Sequence, residues 1–303
     1  MTGALPVSPT NSASPPPPSS NSSSSTTITT SLLPSPPPLT PKDVALALQQ
    51  EICNLQAEDE MIIMRAAASL VMFATLPEAE PHLGTSVPHL LLLLSGDYSL
   101  HVQRNACAAL TAVMNASEML YHSVAETPNL LKGLLRCLEP RVDDVGLRIN
   151  ALAALSALAQ QELGLALIQD AGVEDTLLFL LTDTIDAKLE EDLVDTFCAI
   201  AAYERMRPAL VHKGAVSKLA RHLASDSSEI SLRVLLALGM LCGSSMEGQH
   251  ELAQADGAVK ALLKLMTSND RDVKSIAQDL FSTLTSNQET RLVVQQTMRH
   301  SHN

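Results

Sequence analysis

A block that returns about every 42 residues constrains this chain more than any other feature of its sequence. The clearest copy is His101–Val113, HVQRNACAALTAV, in which Val102, Ala106, Ala109, Leu110 and Val113 fall at three- and four-residue steps. Gln103, Arg104 and Asn105 fall between them, so the block reads as a helix with one apolar face. Matching NACAAL at Asn105–Leu110 to NALAAL at Asn150–Leu155 pairs Leu110 with Leu155, and the same phase selects Leu70, Ile200, Leu238 and Leu280. The intervals are 40, 45, 45, 38 and 42 residues, which gives six copies.

A second motif recurs in fixed phase with the first. It reads QDAGVEDTLLFLL (Gln169–Leu181), VHKGAVSKLARHL (Val211–Leu223) and AQADGAVKALLKLM (Ala253–Met266), with looser copies at Leu83–Leu94 and Val124–Leu135. Gly172, Gly214 and Gly257 stand 42 and 43 residues apart, where a glycine lets the chain reverse after a short helix with positive φ. In the looser copies Pro88 and Pro128 sit where the following helix should start, a position that tolerates the missing N–H. Each unit is therefore expected to be a short helix, a tight turn and two longer helices. A period near 42 in which no unit can bury its own apolar face is the pattern of an α-solenoid.

The building material agrees. Hydrophobic residues make up 46% but aromatics only 2%, with no Trp, so the interior must be filled by Leu, Ala, Val, Ile and Met, which suits closely approaching helices. An all-α fold follows. The formal charge of −13 supplies no basic field to neutralise phosphates, and few rings are present for bases to stack on, so nucleic acid is not the expected partner. No apolar run reaches the roughly 18 residues of a membrane span, and no membrane association is expected. The five cysteines, Cys53, Cys107, Cys137, Cys198 and Cys242, lie among apolar residues with no CxxC pair and no signal peptide, which points to buried reduced thiols in the cytoplasm or nucleus.

The first 41 residues differ from the rest. They hold 11 of the 17 prolines and no charged side chain, and they divide the chain into a disordered Ser/Pro-rich tail, 1–41, and a helical repeat domain, 42–303. Polyproline II is expected around Pro15–Pro18 and Pro36–Pro38. Ser8, Ser14, Ser35 and Thr40 each precede a proline and are candidate phosphorylation sites. The repeat domain opens with an amphipathic helix, Asp43–Gln56, whose buried side is Val44, Leu48, Ile52 and Leu55.

The residues Val-Gln-Arg-Asn-Ala-x-Ala-Ala-Leu, followed by Ala-Gly-Val and Leu-Leu-x-Leu-Leu, resemble the armadillo repeat over roughly residues 57–300. The resemblance implies a right-handed α-solenoid of about six armadillo-like repeats in which the last helix of each lines a concave groove. In the importin-α branch that helix carries a tryptophan two before the anchor leucine and an asparagine two after it. Here the tryptophan positions hold Ala68, Ala108, Ala153, Cys198, Leu236 and Gln278, and the asparagine positions hold Met72, Ala112, Ala157, Ala202, Met240 and Ser282. Neither ladder is present, which argues against that branch and its cargo.

One position is polar in all six copies. Five before the anchor stand Arg65, Asn105, Asn150, Asp195, Arg233 and Ser275. At 100° per residue they lie within about 60° of the ladder positions and should edge the groove as a solvated strip. These six, with Arg104, are the candidate partner-binding residues, and Arg104 and Arg233 are the expected anchors because arginine combines several donors with apolar stacking area. Asp183–Asp195 carries six acidic residues against Lys188 alone, which reads as helix capping or as a dock for a basic patch. The nine histidines form no metal-ligand spacing, and no nucleophile elbow, phosphate loop or HExxH motif appears. No catalytic residue, cofactor or metal is therefore assigned.

The sequence reads as a non-enzymatic adaptor or scaffold that binds other proteins through its concave surface. Two further readings stand beside it: a nucleotide-exchange factor for a seventy-kilodalton heat-shock chaperone, and a structural subunit of a larger assembly. The composition break makes the first prediction: limited proteolysis should leave a fragment beginning near residue 42. A tail that resists digestion would contradict it.

Overall fold

The computed structural model describes residues 40–183 and 186–300, and the described residues are helical with no strand. The expected disordered tail and polyproline segments lie outside them. Two helices open the array, α1 (Pro41–Asn54) and α2 (Glu60–Phe73). Five three-helix units follow: α3 (Glu80–Leu83), α4 (Val87–Leu93) and α5 (Leu100–Ala116); α6 (Glu118–Ala125), α7 (Leu130–Cys137) and α8 (Val145–Leu158); α9 (Glu162–Ala171), α10 (Val173–Asp183) and α11 (Ala187–Ala202); α12 (Arg207–His212), α13 (Ala215–Ala220) and α14 (Ser228–Gly243); and α15 (Met246–Gln254), α16 (Ala258–Leu265) and α17 (Arg271–Ser286). A last helix, α18 (Gln288–His300), closes the array.

All six anchors are core. Leu70, Leu110, Leu155, Ile200 and Leu238 are fully buried and Leu280 is 3% exposed, each in the last helix of its unit. Those third helices begin where local chemistry tells them to. Asp59, Asp144, Asp186, Ser227 and Asp270 each accept hydrogen bonds from backbone N–H groups of the first turn, which would otherwise have no partner.

The turn after the first helix follows the glycines. Gly172, Gly214 and Gly257 have φ of 63°, 78° and 71°, the left-handed region that a side chain disfavours. In the unit built on α7 the same turn is made by Asn129, φ 66°, since asparagine tolerates this conformation better than most residues. Pro128 therefore does not start a helix as expected; it lies in the turn, two residues before α7. Pro88 does sit in the first turn of α4.

Three other expectations change. The second helix of each unit is shorter than the third: α4, α7, α10, α13 and α16 have 7, 8, 11, 6 and 8 residues, and the third helices have 14 to 17. The opening helix runs Pro41–Asn54 rather than Asp43–Gln56, because Thr40 and Asp43 form a capping box that starts it two residues earlier. Its buried side is as expected, with Val44, Leu48, Ile52 and Leu55 in the core. Cys53, off that side, is exposed rather than buried. Cys107, Cys137 and Cys242 are buried, Cys198 is half-buried, and all five are free thiols.

The core is continuous from α1 to α18, because each third helix packs against the one before and the one after it. Leu155, fully buried in α8 among leucines and alanines, tests this organisation. Leu155→Ala should cost about 2–5 kcal/mol by chemical denaturation, with hydrogen exchange rising first in α5, α8 and α11. An unchanged melting curve would break the assigned repeat phase.

Candidate functional site

The third helices place the six recurring polar residues in a row, and most of them bind the neighbouring unit. Asn105 Nδ2 donates to the Met64 carbonyl at 3.0 Å, and Asn150 Nδ2 donates to the Arg104 carbonyl at 2.9 Å. In both cases the acceptor stands one residue before the polar position of the preceding unit, so the amides form two rungs of one ladder. Farther on, Asp195 takes over with its carboxylate: it accepts from Ser156 Oγ at 3.4 Å and from Arg233 Nε at 3.0 Å. Cys198 Sγ donates to the Arg233 carbonyl at 2.9 Å, and Thr196 Oγ1 to the Leu152 carbonyl at 3.3 Å. The strip that the sequence presents as a solvated edge is largely a seam.

Arg233 is the clearest departure. Expected to face solvent, its side chain is only 24% exposed and meets three carboxylates: Asp195, Glu229 at 2.7 Å and Glu191 at 3.8 Å. Burial opposes its charge, yet the hydrogen bond to Asp195 and the surrounding carboxylates outweigh that and hold the guanidinium pKa above its ordinary value. Asp192, close by, moves up through burial, partly offset by Lys188 at 3.5 Å. Within the acidic segment Asp186 caps α11, as its position implies, whereas Glu191 and Asp195 serve Arg233 and Glu190 pairs with His222 at 2.7 Å. Arg104 is half-buried and faces Asp144 at 3.9 Å.

Arg65 and Ser275, at the two ends of the row, are exposed. Among the described residues neither has a hydrogen-bond or ion-pair partner through its side chain. Around Arg65 the surface is apolar: a cleft of about 420 Å³ is lined by Met61, Ile62, Met64, Ala68 and Asn105 as well as Arg65 itself. Met61 is 66% exposed and Met72, one turn beyond Ala68, is 68% exposed. The importin-type tryptophan and asparagine positions now read as Ala68 and Met72 here, and as half-buried Ala108, Ala153 and Ala112 along the next two units. The sequence places Arg65, Ala68 and Met72 on the groove-lining helix but offers only Arg65 as a binding residue, although Met61, Arg65, Ala68 and Met72 are spaced as one helix face.

Burial pushes the Cys198 and Cys242 thiols up to about 12, so neither is a thiolate near neutral pH. Of the phosphorylation candidates, Ser8, Ser14 and Ser35 lie outside the described residues. Thr40 is described: its Oγ1 donates to Asp43 Oδ2 at 2.6 Å and accepts from Asp43 N at 3.3 Å. Acidic substitution there removes a donor and sets a charge against Asp43, so it bears on the start of α1 and not on the tail alone.

No family model matches the chain. Solved structures do. A designed armadillo repeat protein superposes with a TM-score of 0.68 at 25% identity, covering 78% of this chain and 99% of its own. A computationally designed armadillo repeat protein for modular peptide recognition gives the same TM-score, 0.68, also at 25% identity over 78% of this chain and 99% of its own. A third, a designed armadillo repeat protein in complex with the peptide (KR)4, has a TM-score of 0.67 at 23% identity over 78% of this chain and 98% of its own. The described residues form an α-solenoid with the armadillo-repeat fold. No described helix is long and apolar enough to cross a membrane.

The seam makes its own prediction. Asn150→Ala leaves the half-buried Arg104 carbonyl without its amide donor and should lower stability by about 0.5–1.5 kcal/mol. Asn150→Asp should be at least as damaging, since a carboxylate cannot donate to that carbonyl. Equal melting temperatures for all three proteins would show that the ladder contributes nothing.

Proposed function

We propose that this protein is a non-enzymatic adaptor that binds other proteins through the third-helix face of its repeat domain, and that binding is centred on α2 and α5. The observation that carries this reading is Arg65, an exposed cation without an ion-pair partner among the described residues, set in an apolar cleft beside Met61 and Ala68. Such a site fits a segment that offers an aliphatic side chain to the cleft and an acceptor to the guanidinium, the combination on which interface hot spots are built. The adjacent Ala108, Ala112 and Ala153 leave a low floor on which a partner backbone can approach closely.

The second half of the same face supports the assignment by contrast. Around Arg233 two cations, Arg233 and Lys188, are already engaged by Glu191, Asp192, Asp195 and Glu229. Breaking those pairs to admit a partner would leave half-buried carboxylates uncompensated, a cost that the first half does not carry. Armadillo neighbours designed for modular peptide recognition or bound to (KR)4 support protein binding as the general use of the fold. The five free thiols support a reducing compartment such as the cytoplasm.

A photo-crosslinking residue in place of Ala68 should capture the partner in cells, and the same protein should co-purify with the wild-type chain. Arg65→Glu combined with Met72→Ser should then weaken that association by a hot-spot-sized 2 kcal/mol or more, roughly thirtyfold. Because both side chains are exposed, melting should stay within about 0.5 kcal/mol of wild type. Undiminished binding by a variant that melts normally would remove the site from this face.

A further inference from the structure

The second helices carry a surface that the third-helix reading does not use. On α7, Lys132 and Arg136 stand four residues apart and so project from one side of the helix. Among the described residues neither has an ion-pair partner. Arg141 pairs with Glu139 at 2.6 Å and Lys213 with Glu174 and Asp175 at 2.8 and 2.9 Å, whereas Lys260 and Lys264, at the same positions of α16, are likewise without ion-pair partners among the described residues. Unpaired cations set side by side on a chain of formal charge −13 are therefore not a by-product of general basicity.

The pair forms a ridge between three open clefts. One of about 380 Å³ is lined by Pro88, Leu91, Leu92 and Gly133; a second of about 340 Å³ by Leu131, Leu163 and Leu167; and a third of about 510 Å³ by Leu135 and Thr176. Lys132 borders all three and Arg136 borders the first and the third. Leu92 is 60% exposed. Gly133, between the two cations, keeps the first cleft narrow: a Cβ there would stand 3.3 Å from both Leu91 and Leu94, so its absence lets α7 lie close to the leucines at the end of α4.

We propose that this ridge is a second protein-binding surface and that its occupant is an acidic amphipathic helix of another protein. Lys132 and Arg136 are separated by about 6 Å along α7, which matches carboxylates four apart on a partner helix. Aliphatic residues one and three positions after the first carboxylate would flank the acidic pair on both sides, as the leucine-lined clefts flank the ridge. The surface does not suit a nucleic acid or other polyanion. Glu126 and Glu139 stand on the rims of the clefts, and the clefts offer leucines in place of rings for stacking.

The test uses the full chain and a short fluorescein-labelled, alanine-rich helical peptide with a central Glu-Leu-Gln-Leu-Glu, followed by anisotropy. The wild-type protein should bind it saturably and more weakly as salt rises. Lys132→Glu with Arg136→Glu should weaken binding roughly tenfold or more, the scale of losing charged hydrogen bonds. Lys132→Ala with Arg136→Ala should give a smaller loss in the same direction, with melting of both variants unchanged. Arg65→Glu should leave this peptide's affinity unaltered, which keeps the result separate from that of the third-helix face. The proposal is overturned if the wild-type chain gives no saturable binding, if the charge-reversed variant binds equally well, if a peptide with Lys in place of Glu binds as tightly, or if Arg65→Glu is the change that abolishes binding.

Discussion

The third helices inside the array, α5, α8, α11 and α14, are apolar on more than one side, and the rest of the structure answers to that. In α8, Leu147, Ala151, Leu152, Ala154, Leu155, Ala157 and Leu158 are all buried, leaving only a narrow polar edge. A helix so covered requires partners on two sides beyond its own unit's shorter helices, and α5 and α11 supply them. Stability is then a matter of neighbouring units, and removing one interface should loosen adjacent helices before it unfolds the whole array. The abundance of alanine serves the same end, since small side chains let helices of this length approach closely without the aromatic volume that the composition lacks.

Close approach has a consequence for polar groups. Where two third helices pack, side chains and backbone carbonyls at the edge of the contact lose part of their water and need another partner. The first three units meet this with neutral amides, Asn105 reaching to the Met64 carbonyl and Asn150 to that of Arg104. The next two meet it with charge, Arg233 gathering Asp195, Glu191 and Glu229. The two solutions leave different surfaces behind. A neutral amide rung consumes its donors and exposes little, so the floor beside it stays smooth and uncharged. An ionic seam leaves a field of carboxylates that is already committed to its own cation.

The architecture was legible in the sequence because it rests on period and phase. The anchors Leu70 to Leu280 could be located by alignment of the chain with itself, and Gly172, Gly214 and Gly257 announced a turn that only a few residue types make easily. What misled was local chemistry that repeats without the same letters. Asn129 makes the same turn as the glycines, and the proline before it looked like a helix start because no pattern distinguished the two roles. The six polar residues do stand one on each third helix. Its engagement was hidden because sequence spacing gives the direction of a side chain along one helix but not the carbonyl it meets on another. Arg233 shows this most plainly: a polar residue at a helical edge reads as solvated until Asp195, 38 residues earlier, is brought to 3.0 Å.

A residue held in a seam is poorly placed to recognise a partner, because a new contact must first release the old one. Where the seam forms it runs backward, Asn105 reaching to α2, Asn150 to α5 and Arg233 to Asp195 on α11, while Ser275 makes no such contact among the described residues. Among the described residues no third helix precedes α2 for Arg65 to reach. Arg65 therefore keeps the position of the ladder but is relieved of its structural task, and beside it Met61 and Met72 stay exposed at 66% and 68%. The same reasoning applies to Lys132 and Arg136, which lie on a short second helix outside the stack of third helices and carry no inter-unit ion pair among the described residues. In a solenoid of this kind the repeating positions hold the array together, and recognition falls to positions where the repeat is interrupted or unneeded. Binding is therefore proposed at side chains free of that task, Arg65 on α2 and the two cations of α7.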